Sequence, residues 1–241
     1  MRWFNWKRFA AAVAVLAGGV AIAAGQGKRM PLPEEVQGWL EDLPAAAGEI
    51  EPHSPAREAI EQGRLDEARD MLSFRPYDEA PLPEGFPAYT PVGVIEVKEY
   101  PAYRKAVGPS FWPLFQHIQK QGIPMTAPVE MADAPRGNDG AMAFLYQSTS
   151  VGQEGPVDGV RVEDAPATTV ASLGVRGRMT EQAADEARAT LQAWLDGQSE
   201  YRAAGDEPFR LFGYNGPSVP DKSKYWEAQL TLEPVASDSS D

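Results

Sequence analysis

In the C-terminal part of the chain, apolar and polar residues alternate in short runs, which is typical of half-buried β-strands. The run Val94–Tyr103 alternates in this way and contains a proline near its end, and Gly159–Thr168 repeats the pattern. When the two runs are aligned, Pro101 matches Pro166 and several neighbouring residues match in kind. The pattern therefore predicts an internal duplication.

Each copy of this run is followed by a second strand, a helix and two further strands. In the first copy these are Tyr103–Val107, the helix Ser110–Gln121, Met125–Met131 and Met142–Gln147; in the second they are Thr168–Leu173, the helix Glu181–Leu195, Phe209–Tyr214 and Lys224–Leu232. Thr180 is placed to cap the second helix, and Gly197 to follow its C-terminus. Because alternating strands bury one face of their sheet, two β-β-α-β-β halves predict an α+β fold. It has an antiparallel, barrel-like sheet of eight strands, pseudo-two-fold symmetry and one helix per half.

The residues before the repeat have a different pattern, because prolines interrupt them at short intervals. Helical spacing of apolar residues predicts two short helices, at about 33–43 and about 55–73, with Ser54 as the N-cap of the second. Residues 76–91 are predicted to form an extended linker. The predicted organisation is a Pro-rich tether with a small helical hairpin at 26–91, the repeat domain at 92–233 and a disordered tail at 234–241.

The first residues of the chain resemble a targeting segment. Three basic residues precede an uncharged, mostly apolar run at 9–27, and small residues end that run. This pattern predicts that residues 1–25 are an export signal or an N-terminal membrane anchor, and both alternatives stay open. Because positive charge before the run stays in the cytoplasm, we expect the rest of the protein to be periplasmic or otherwise extracytoplasmic.

Composition excludes several functional classes. The 241 residues include 22 Lys and Arg against 35 Asp and Glu, a net charge of −13, which argues against a nucleic-acid binder. The absence of cysteine excludes disulfides, thiolate metal sites and cysteine nucleophiles, and two histidines disfavour a multi-histidine metal site. The common sequence motifs of serine hydrolases, zinc peptidases and nucleotide-binding enzymes do not occur. We therefore expect no catalytic residues and no enzyme activity.

Seven segments of the repeat region follow one another in a recognisable order. They are Val94–Tyr103, Phe111–Ile118, Ile123–Val129, Met142–Leu145, Val162–Ala167, Phe212–Pro217 and Lys224–Glu227. Together they resemble the SOUL haem-binding protein family over about residues 92–233, and PMTAPV after a helix with FWxLFxxI is the most diagnostic pair. The resemblance implies a distorted eight-stranded antiparallel barrel flanked by two helices. It also implies reversible binding of a b-type haem or another porphyrin without catalysis.

The resemblance also implies where a porphyrin binds, namely in an apolar cleft beside the first helix and the loop between the last two strands. Here these are 110–121 and 216–223. On a helical wheel the apolar stripe covers an arc of roughly 100° and consists of Phe111, Leu114, Phe115 and Ile118. His117 lies about 110° from the middle of this arc, so it can face solvent or a groove beside the helix. Since imidazole is a natural axial ligand of haem iron, His117 is a candidate metal ligand; the alternative is an ordinary boundary histidine.

Further candidate haem-binding residues are aromatic rings and lysines. Phe111 and Trp112 are candidates to contact the macrocycle, although such rings are more often core residues. Lys120, Lys222 and Lys224 are candidates to pair with haem propionates, although surface lysines are common.

The leading hypothesis is an exported haem- or porphyrin-binding protein that buffers or transfers tetrapyrroles without turnover. Two alternatives remain open: a protein-interaction module with an unknown partner, and a binder of another amphipathic small molecule on the same fold. Attachment to the inner membrane through residues 9–27 would accompany the anchor alternative.

Overall fold

The protein is built on one large antiparallel sheet, with two long helices on one face of it and the N-terminal segment against the other. A computed structural model describes residues 28–131, 142–205 and 208–235. Within these ranges the helices are α1 (Glu34–Glu41), α2 (Leu43–Ala46), α3 (Pro55–Glu61), α4 (Leu65–Leu72), α5 (Phe111–Gln121) and α6 (Glu181–Asp196). The strands are β1 (Lys28–Arg29), β2 (Tyr77–Asp78), β3 (Ile95–Tyr100), β4 (Tyr103–Gly108), β5 (Val129–Met131), β6 (Met142–Leu145), β7 (Gly155–Val157), β8 (Val160–Ala165), β9 (Thr168–Arg176), β10 (Tyr201–Ala203), β11 (Phe209–Gly213) and β12 (Tyr225–Pro234).

The strand order reflects the duplication. The main sheet runs β3-β9-β12-β11-β5-β6-β4-β8-β7, and β10 pairs with the end of β12. The first half contributes β3, β4, β5 and β6, and the second half contributes β8, β9, β11 and β12 in the same sequence. When each strand is replaced by its counterpart from the other half, the order of the eight strands is reversed and otherwise unchanged. The antiparallel sheet with its β-β-α-β-β halves is therefore observed. The hydrogen-bonded order starts at β3 and ends at β7 without closing, so the predicted closed barrel is not confirmed.

Two prolines bend the longest ribbon of the sheet without shifting its register. β3 pairs with β9, and β4 pairs with β8, in one antiparallel register that continues from Ile95 opposite Leu173 to Val107 opposite Arg161. Pro101 and Pro166 lie in the short breaks between these strands, where a proline cannot donate a ladder hydrogen bond. Each proline therefore turns its strand from one half of the sheet into the other.

One face of the sheet, here called the outer face, is covered by α5 and α6. The core beneath α6 is mainly aliphatic with two tryptophans, and includes Leu173, Leu191, Trp194, Leu211, Trp226 and Leu230. The core beneath α5 includes Ala106, Leu114, Ile118, Phe144, Tyr146 and Val162. As predicted, Thr180 caps α6, because its hydroxyl accepts a 3.1 Å hydrogen bond from the Ala183 N–H. Gly197 is the C-cap residue of α6, with a right-handed φ of −85°.

The opposite side, here called the inner face, has a different chemical character. It carries tyrosines together with buried and partly buried ionisable groups, namely Lys98, Tyr100, Tyr103, Lys105, Glu130, Arg210, Phe212, Tyr214, Tyr225, Glu227 and Gln229. Side chains of the N-terminal segment, among them Phe74, Phe86 and Tyr89, pack against its aromatic residues. The N-terminal segment therefore forms the cover of this face.

The predicted helical hairpin differs in detail from the structure. The helix expected at about 55–73 is divided into α3 and α4, because Gly63 between them has a φ of +74°, which only glycine adopts readily. Ser54 precedes α3, but its hydroxyl accepts a 3.0 Å hydrogen bond from the Ile95 N–H of β3 instead of capping the helix. The helices share a small core, including Val36, Trp39, Leu43, Ile50, Ile60 and Leu72, to which Val94 of the repeat region contributes.

Residues 81–92, here called the strap, cross the inner face. The Pro81 carbonyl accepts a 3.0 Å hydrogen bond from Ala127, and the Glu84 N–H donates one of 2.8 Å to Gln147. At the other end, the Thr90 N–H donates to the Glu227 carboxylate at 2.8 Å. The strap is thereby attached to both halves of the duplicated sheet.

The predicted export or anchor segment, 1–25, lies outside the described residues, as does 236–241 of the predicted tail. In the described ranges, no helix combines the length and the apolarity that crossing a bilayer requires.

Candidate ligand-binding surface on helix α5

Helix α5 divides its residues between the sheet and solvent. Leu114 and Ile118 are buried against the outer face, whereas Phe111 and Trp112 are 38% and 57% exposed. The helix ends at Gln121, and Gly122 then takes a left-handed φ of +65° that turns the chain back toward the sheet. The first turn of α5 therefore presents two large rings to solvent.

These two exposed rings form one stacked group with the partly buried ring of Phe115, and the three residues are here called the aromatic patch. The rings of Phe111 and Phe115 stack with centroids 5.6 Å apart, and those of Trp112 and Phe115 with centroids 5.9 Å apart. Phe111 also meets the buried ring of Phe144 edge-on at 5.2 Å. A contiguous, exposed apolar surface of this kind marks an interaction site more often than scattered single residues do.

His117 is not at the surface, although the helical wheel placed it at the boundary. It is 2% exposed, and its Nε2 lies 2.6 Å from the hydroxyl of Tyr146, the residue that follows β6. Its Nδ1 is buried without a hydrogen-bond partner. Burial lowers the pKa of His117, and nearby Lys120 acts in the same direction while Asp158 opposes it. In this arrangement a metal could approach Nε2 only after the contact with Tyr146 opens.

The three candidate lysines lie in two different places. Lys120 is on α5 and forms an exposed ion pair of 3.6 Å with Asp158. By contrast, Lys224 pairs with Asp221 in its own loop at 2.7 Å. The carbonyl of Lys222 accepts a 2.8 Å hydrogen bond from Arg176 at the end of β9. Lys120 therefore lies on the same helix as the aromatic patch, in the last turn, whereas the other two lysines lie near the β9 end of the sheet.

A buried carboxylate on the inner face was not expected from the sequence. Glu227 of β12 is fully buried, and its Oε1 lies 3.0 Å from the Lys98 ammonium. It also accepts hydrogen bonds from other groups, namely the Thr90 N–H and the side chains of Ser172, Tyr225 and Gln229. Burial acts to raise the pKa of Glu227, but Lys98 and these donors together hold it below its usual value. Glu227 is therefore a satisfied anion inside the protein.

A second polar group continues along the inner face from this carboxylate. Gln229 accepts a 2.9 Å hydrogen bond from Arg210 Nε, and Arg210 Nη1 donates to the Tyr103 hydroxyl at 2.9 Å. Tyr103 in turn donates to Glu130 at 2.8 Å, and Lys105 pairs with the same carboxylate at 2.9 Å. Burial raises the pKa of Glu130, but Arg210 and Lys105 outweigh it and lower that pKa overall. Strand alternation gave no signal for this cluster, because alternating polar residues are usually solvent-facing.

The described residues contain a cavity of about 200 Å³ beneath the strap, lined by Pro83, Glu84, Ala102, Tyr103, Tyr146, Gln147, Ser148 and Thr149. This volume is below the range of about 300–1,000 Å³ that is typical of enclosed ligand pockets. Within the described ranges, no group of three or more His, Asp or Glu side chains could hold a metal ion. Among these features, the aromatic patch is the one that presents stacked aromatic rings to solvent.

The sequence model of the SOUL heme-binding protein family matches residues 87–226, more than half of the chain. The chain belongs to the SOUL haem-binding protein family. The match covers the end of the strap, the helices α5 and α6 and the strands β3 to β11, and it ends at the second residue of β12. The helices α1–α4 of this SOUL protein lie outside it. The family resemblance inferred from the seven segments is thereby confirmed. No curated protein matches the chain.

Solved structures also share features with this SOUL protein, at low identity. The EcmrR C-terminal domain is 16% identical, with a TM-score of 0.45, over 58% of this chain and 98% of that chain. The chain in an EcmrR–DNA complex is 15% identical, with a TM-score of 0.47, over 83% of this chain and 69% of that chain. A hydrolase from Listeria innocua is 11% identical, with a TM-score of 0.45, over 60% of this chain and 94% of that chain. At these values we transfer neither function nor site residues to this SOUL protein.

Proposed function

We propose that the protein binds haem or a related porphyrin as cargo at the aromatic patch of α5, without catalysis. The observation that carries this proposal is the stack of the exposed Phe111 and Trp112 with the partly buried Phe115, on the first long helix of a SOUL family member. A porphyrin is flat and apolar on both faces, and it stacks on such rings. Each ring that loses contact with water contributes about 25 cal/mol per Å² of apolar area.

Charge near the patch supports the same cargo. Lys120 lies two turns after Trp112 on α5, about 12 Å along the helix axis at 1.5 Å per residue. Its ammonium is well exposed, and an exposed ion pair such as that with Asp158 contributes only about 0–1 kcal/mol. Lys120 is therefore available to a propionate at the edge of a stacked macrocycle.

The attachment is proposed to be reversible and of the b type. Covalent attachment of c-type haem uses cysteine thiols, and the chain has no cysteine. Stacking requires no change in the described arrangement, whereas ligation by His117 requires that its Nε2 leave the Tyr146 hydroxyl. Stacking is thus the primary interaction, and His117 is the candidate ligand for a second, ligated form.

We further propose that the cargo is buffered or transferred outside the cytoplasm. Support comes from the basic and then apolar sequence of residues 1–25, which is typical of an export signal or anchor. Reversible stacking suits a carrier, because the bound molecule can be released without breaking a covalent bond.

Titration of hemin into the whole protein tests the proposal. We expect a saturable Soret shift with about 1:1 stoichiometry, and Trp112→Ala should weaken binding by about tenfold, since aromatic contacts and burial both depend on that ring. Leu65→Ala is the matched control, because Leu65 is a 36% exposed apolar residue on α4, away from the patch. Absence of saturable binding, or equal effects of the two substitutions, would contradict a site on α5.

The role of His117 is read from the spectrum of the same complex. If His117 ligates iron, His117→Ala removes the histidine-coordinated form and lowers affinity. An unchanged spectrum assigns the binding to stacking alone and leaves His117 as a structural residue.

A further inference from the structure

The inner face buries more ionisable side chains than the outer-face core does. The outer-face core is mainly aliphatic, whereas the inner face combines tyrosine rings with Lys98, Arg210, Glu130 and Glu227. Ionisable groups are costly to bury and are kept where they are paired or used. Most of those on the inner face are fully paired. Arg210 is the exception.

Arg210 holds its guanidinium in a fixed orientation with one donor nitrogen left over. Nε donates to Gln229, and Nη1 donates to Tyr103, both at 2.9 Å. The guanidinium carbon lies 4.6 Å from the centre of the Phe212 ring and 5.4 Å from that of Tyr100. Nη2 is buried and has no hydrogen-bond partner. A rigid, oriented donor of this kind favours a carboxylate.

The carboxylates near Arg210 already have other cationic partners. Glu130 pairs with Lys105 at 2.9 Å, and Lys105 also pairs with the partly exposed Glu163 at 4.0 Å. Glu227 already has the Lys98 ammonium as its counter-ion. Burial raises the pKa of Glu96, a second carboxyl near Lys98, which favours its neutral form.

The strap places an aromatic ring over the two tyrosines that Arg210 contacts. The ring of Phe86 meets Tyr100 edge-on at 4.9 Å and Tyr103 edge-on at 5.2 Å. Phe86 and Arg210 therefore share these two neighbours. Phe86 contacts the two tyrosine rings edge-on, whereas Arg210 contacts them through its guanidinium. The cavity of about 200 Å³ lies beside Tyr103, between the sheet and strap residues Pro83 and Glu84. The cavity therefore adjoins this site at Tyr103.

We propose that the inner face is a second binding site, specific for a planar aromatic carboxylate. Its ring takes the place of Phe86 between Tyr100 and Tyr103, and its carboxylate accepts a hydrogen bond from Arg210 Nη2. The strap is the occupant of this site in the free protein and moves aside when the ligand enters. The site is separate from the aromatic patch, because α5 covers the outer face, and it does not depend on haem binding.

Binding of 2-naphthoate and of its uncharged analogue 2-naphthamide to the whole protein tests the charge requirement. The two probes have the same ring, so their affinity ratio reports the carboxylate. We expect 2-naphthoate to bind saturably and about tenfold more tightly, the effect of one hydrogen bond to a charged group. Equal affinities, or no saturable binding of 2-naphthoate, would overturn the proposal.

Two substitutions separate the ring position from the carboxylate position. Phe86→Ala removes the competing ring and should strengthen 2-naphthoate binding by about fivefold, the contribution of two aromatic edge contacts. Arg210→Lys keeps the charge but loses the oriented fork, so the preference for 2-naphthoate over 2-naphthamide should fall to about twofold or less. No change in either variant contradicts the site. Trp112→Ala is the control for the aromatic patch; if it abolishes 2-naphthoate binding, the probe binds on α5 and the inner-face site is wrong.

Movement of the strap can be followed without any substitution. Tyr89 is 4% exposed, so chymotrypsin cleaves after it slowly while the strap is in place. Saturating 2-naphthoate should accelerate this cleavage severalfold, whereas 2-naphthamide should not. Unchanged cleavage with bound 2-naphthoate would show that the strap stays closed and would overturn the proposed displacement. If the protein binds 2-naphthoate but not hemin, only the proposed haem site on α5 is wrong. If it binds hemin but not 2-naphthoate, only the inner-face site is wrong.

Discussion

The Nε2 of His117 on α5 lies 2.6 Å from the Tyr146 hydroxyl, and the planes of the two rings are nearly parallel, with an angle of 18° between them. Both side chains are almost completely buried. The pair joins α5 to the sheet by a polar contact directly beneath a helix whose N-terminal rings are exposed. The aromatic patch is therefore presented by a helix anchored through both apolar packing and this hydrogen bond.

Tyr146→Phe should destabilise the protein by about 1–3 kcal/mol, because it leaves the buried His117 Nε2 without its partner. Burial raises the pKa of Tyr146 to about 12, so its hydroxyl is protonated throughout the neutral range. Urea unfolding at pH 7 measures the change. Tyr77→Phe is the control, because the Tyr77 hydroxyl takes part only in an exposed contact with Arg29; equal effects would show that the buried contact is unimportant.

The lowered pKa of His117 predicts a pH dependence of stability. The folded protein resists protonation of His117, whereas the unfolded chain takes up a proton near pH 6.5. The unfolded state then binds more protons, so the free energy of unfolding should fall as the pH decreases through about 6.5. Urea unfolding at pH 7 and pH 5 should show a smaller loss for His117→Gln than for the unaltered protein. The same loss in both would assign it to other groups.

Lys98→Met should destabilise the protein by about 3–5 kcal/mol at pH 7, because it leaves the Glu227 carboxylate buried without its counter-ion. Lys120→Met removes an exposed ion pair and should cost about 1 kcal/mol or less. Thermal or urea unfolding of the two variants compares a buried with an exposed lysine–carboxylate pair. Similar costs would mean that the inner face is more hydrated than its packing indicates.

Gly174→Ala should loosen the strap. A Cβ at Gly174 would overlap the carbonyl oxygens of Thr90 and Pro91, which belong to the strap. We expect a loss of stability of about 1–3 kcal/mol from overpacking and faster chymotryptic cleavage after Tyr89. Gly38→Ala is the control: it lies within α1 with no atom near its Cβ, and it should stabilise the protein by about 0.5–1 kcal/mol. Unchanged cleavage in Gly174→Ala would show that this close approach does not hold the strap.

Much of the fold could be predicted from the chain because its signals are local. Alternation located most of the strands of the repeat, and helical spacing located α5 and α6 to within one residue at each end. Alternation could not tell which face is buried. In β3, Lys98 is 6% exposed and its neighbour Val97 is 37% exposed, the reverse of the ordinary rule. The difference arises because α6 does not cover Val97, whereas Glu227 and the strap enclose Lys98.

For the candidate site, the sequence named residues whose role in binding stays a prediction, and the structure reports only where they lie. Phe111 and Trp112 were identified from the helix, and the structure places both on one exposed patch. The burial of His117 was not predictable, since it depends on Tyr146, 29 residues away. The grouping of Arg210 with Tyr103 joins residues 107 apart in the chain, and no local pattern encodes such a contact.

By itself, the sequence determined the duplicated order of strands and helices and the family, because periodicity, capping and ordered motifs act over a few neighbouring residues. It also determined the acidic charge and the absence of thiol chemistry. Tertiary structure alone decided that the proline-rich N-terminal segment covers the inner face and that a buried carboxylate and an arginine lie beneath it. These features depend on contacts between distant segments, whose free energies appear only when the whole sheet has assembled.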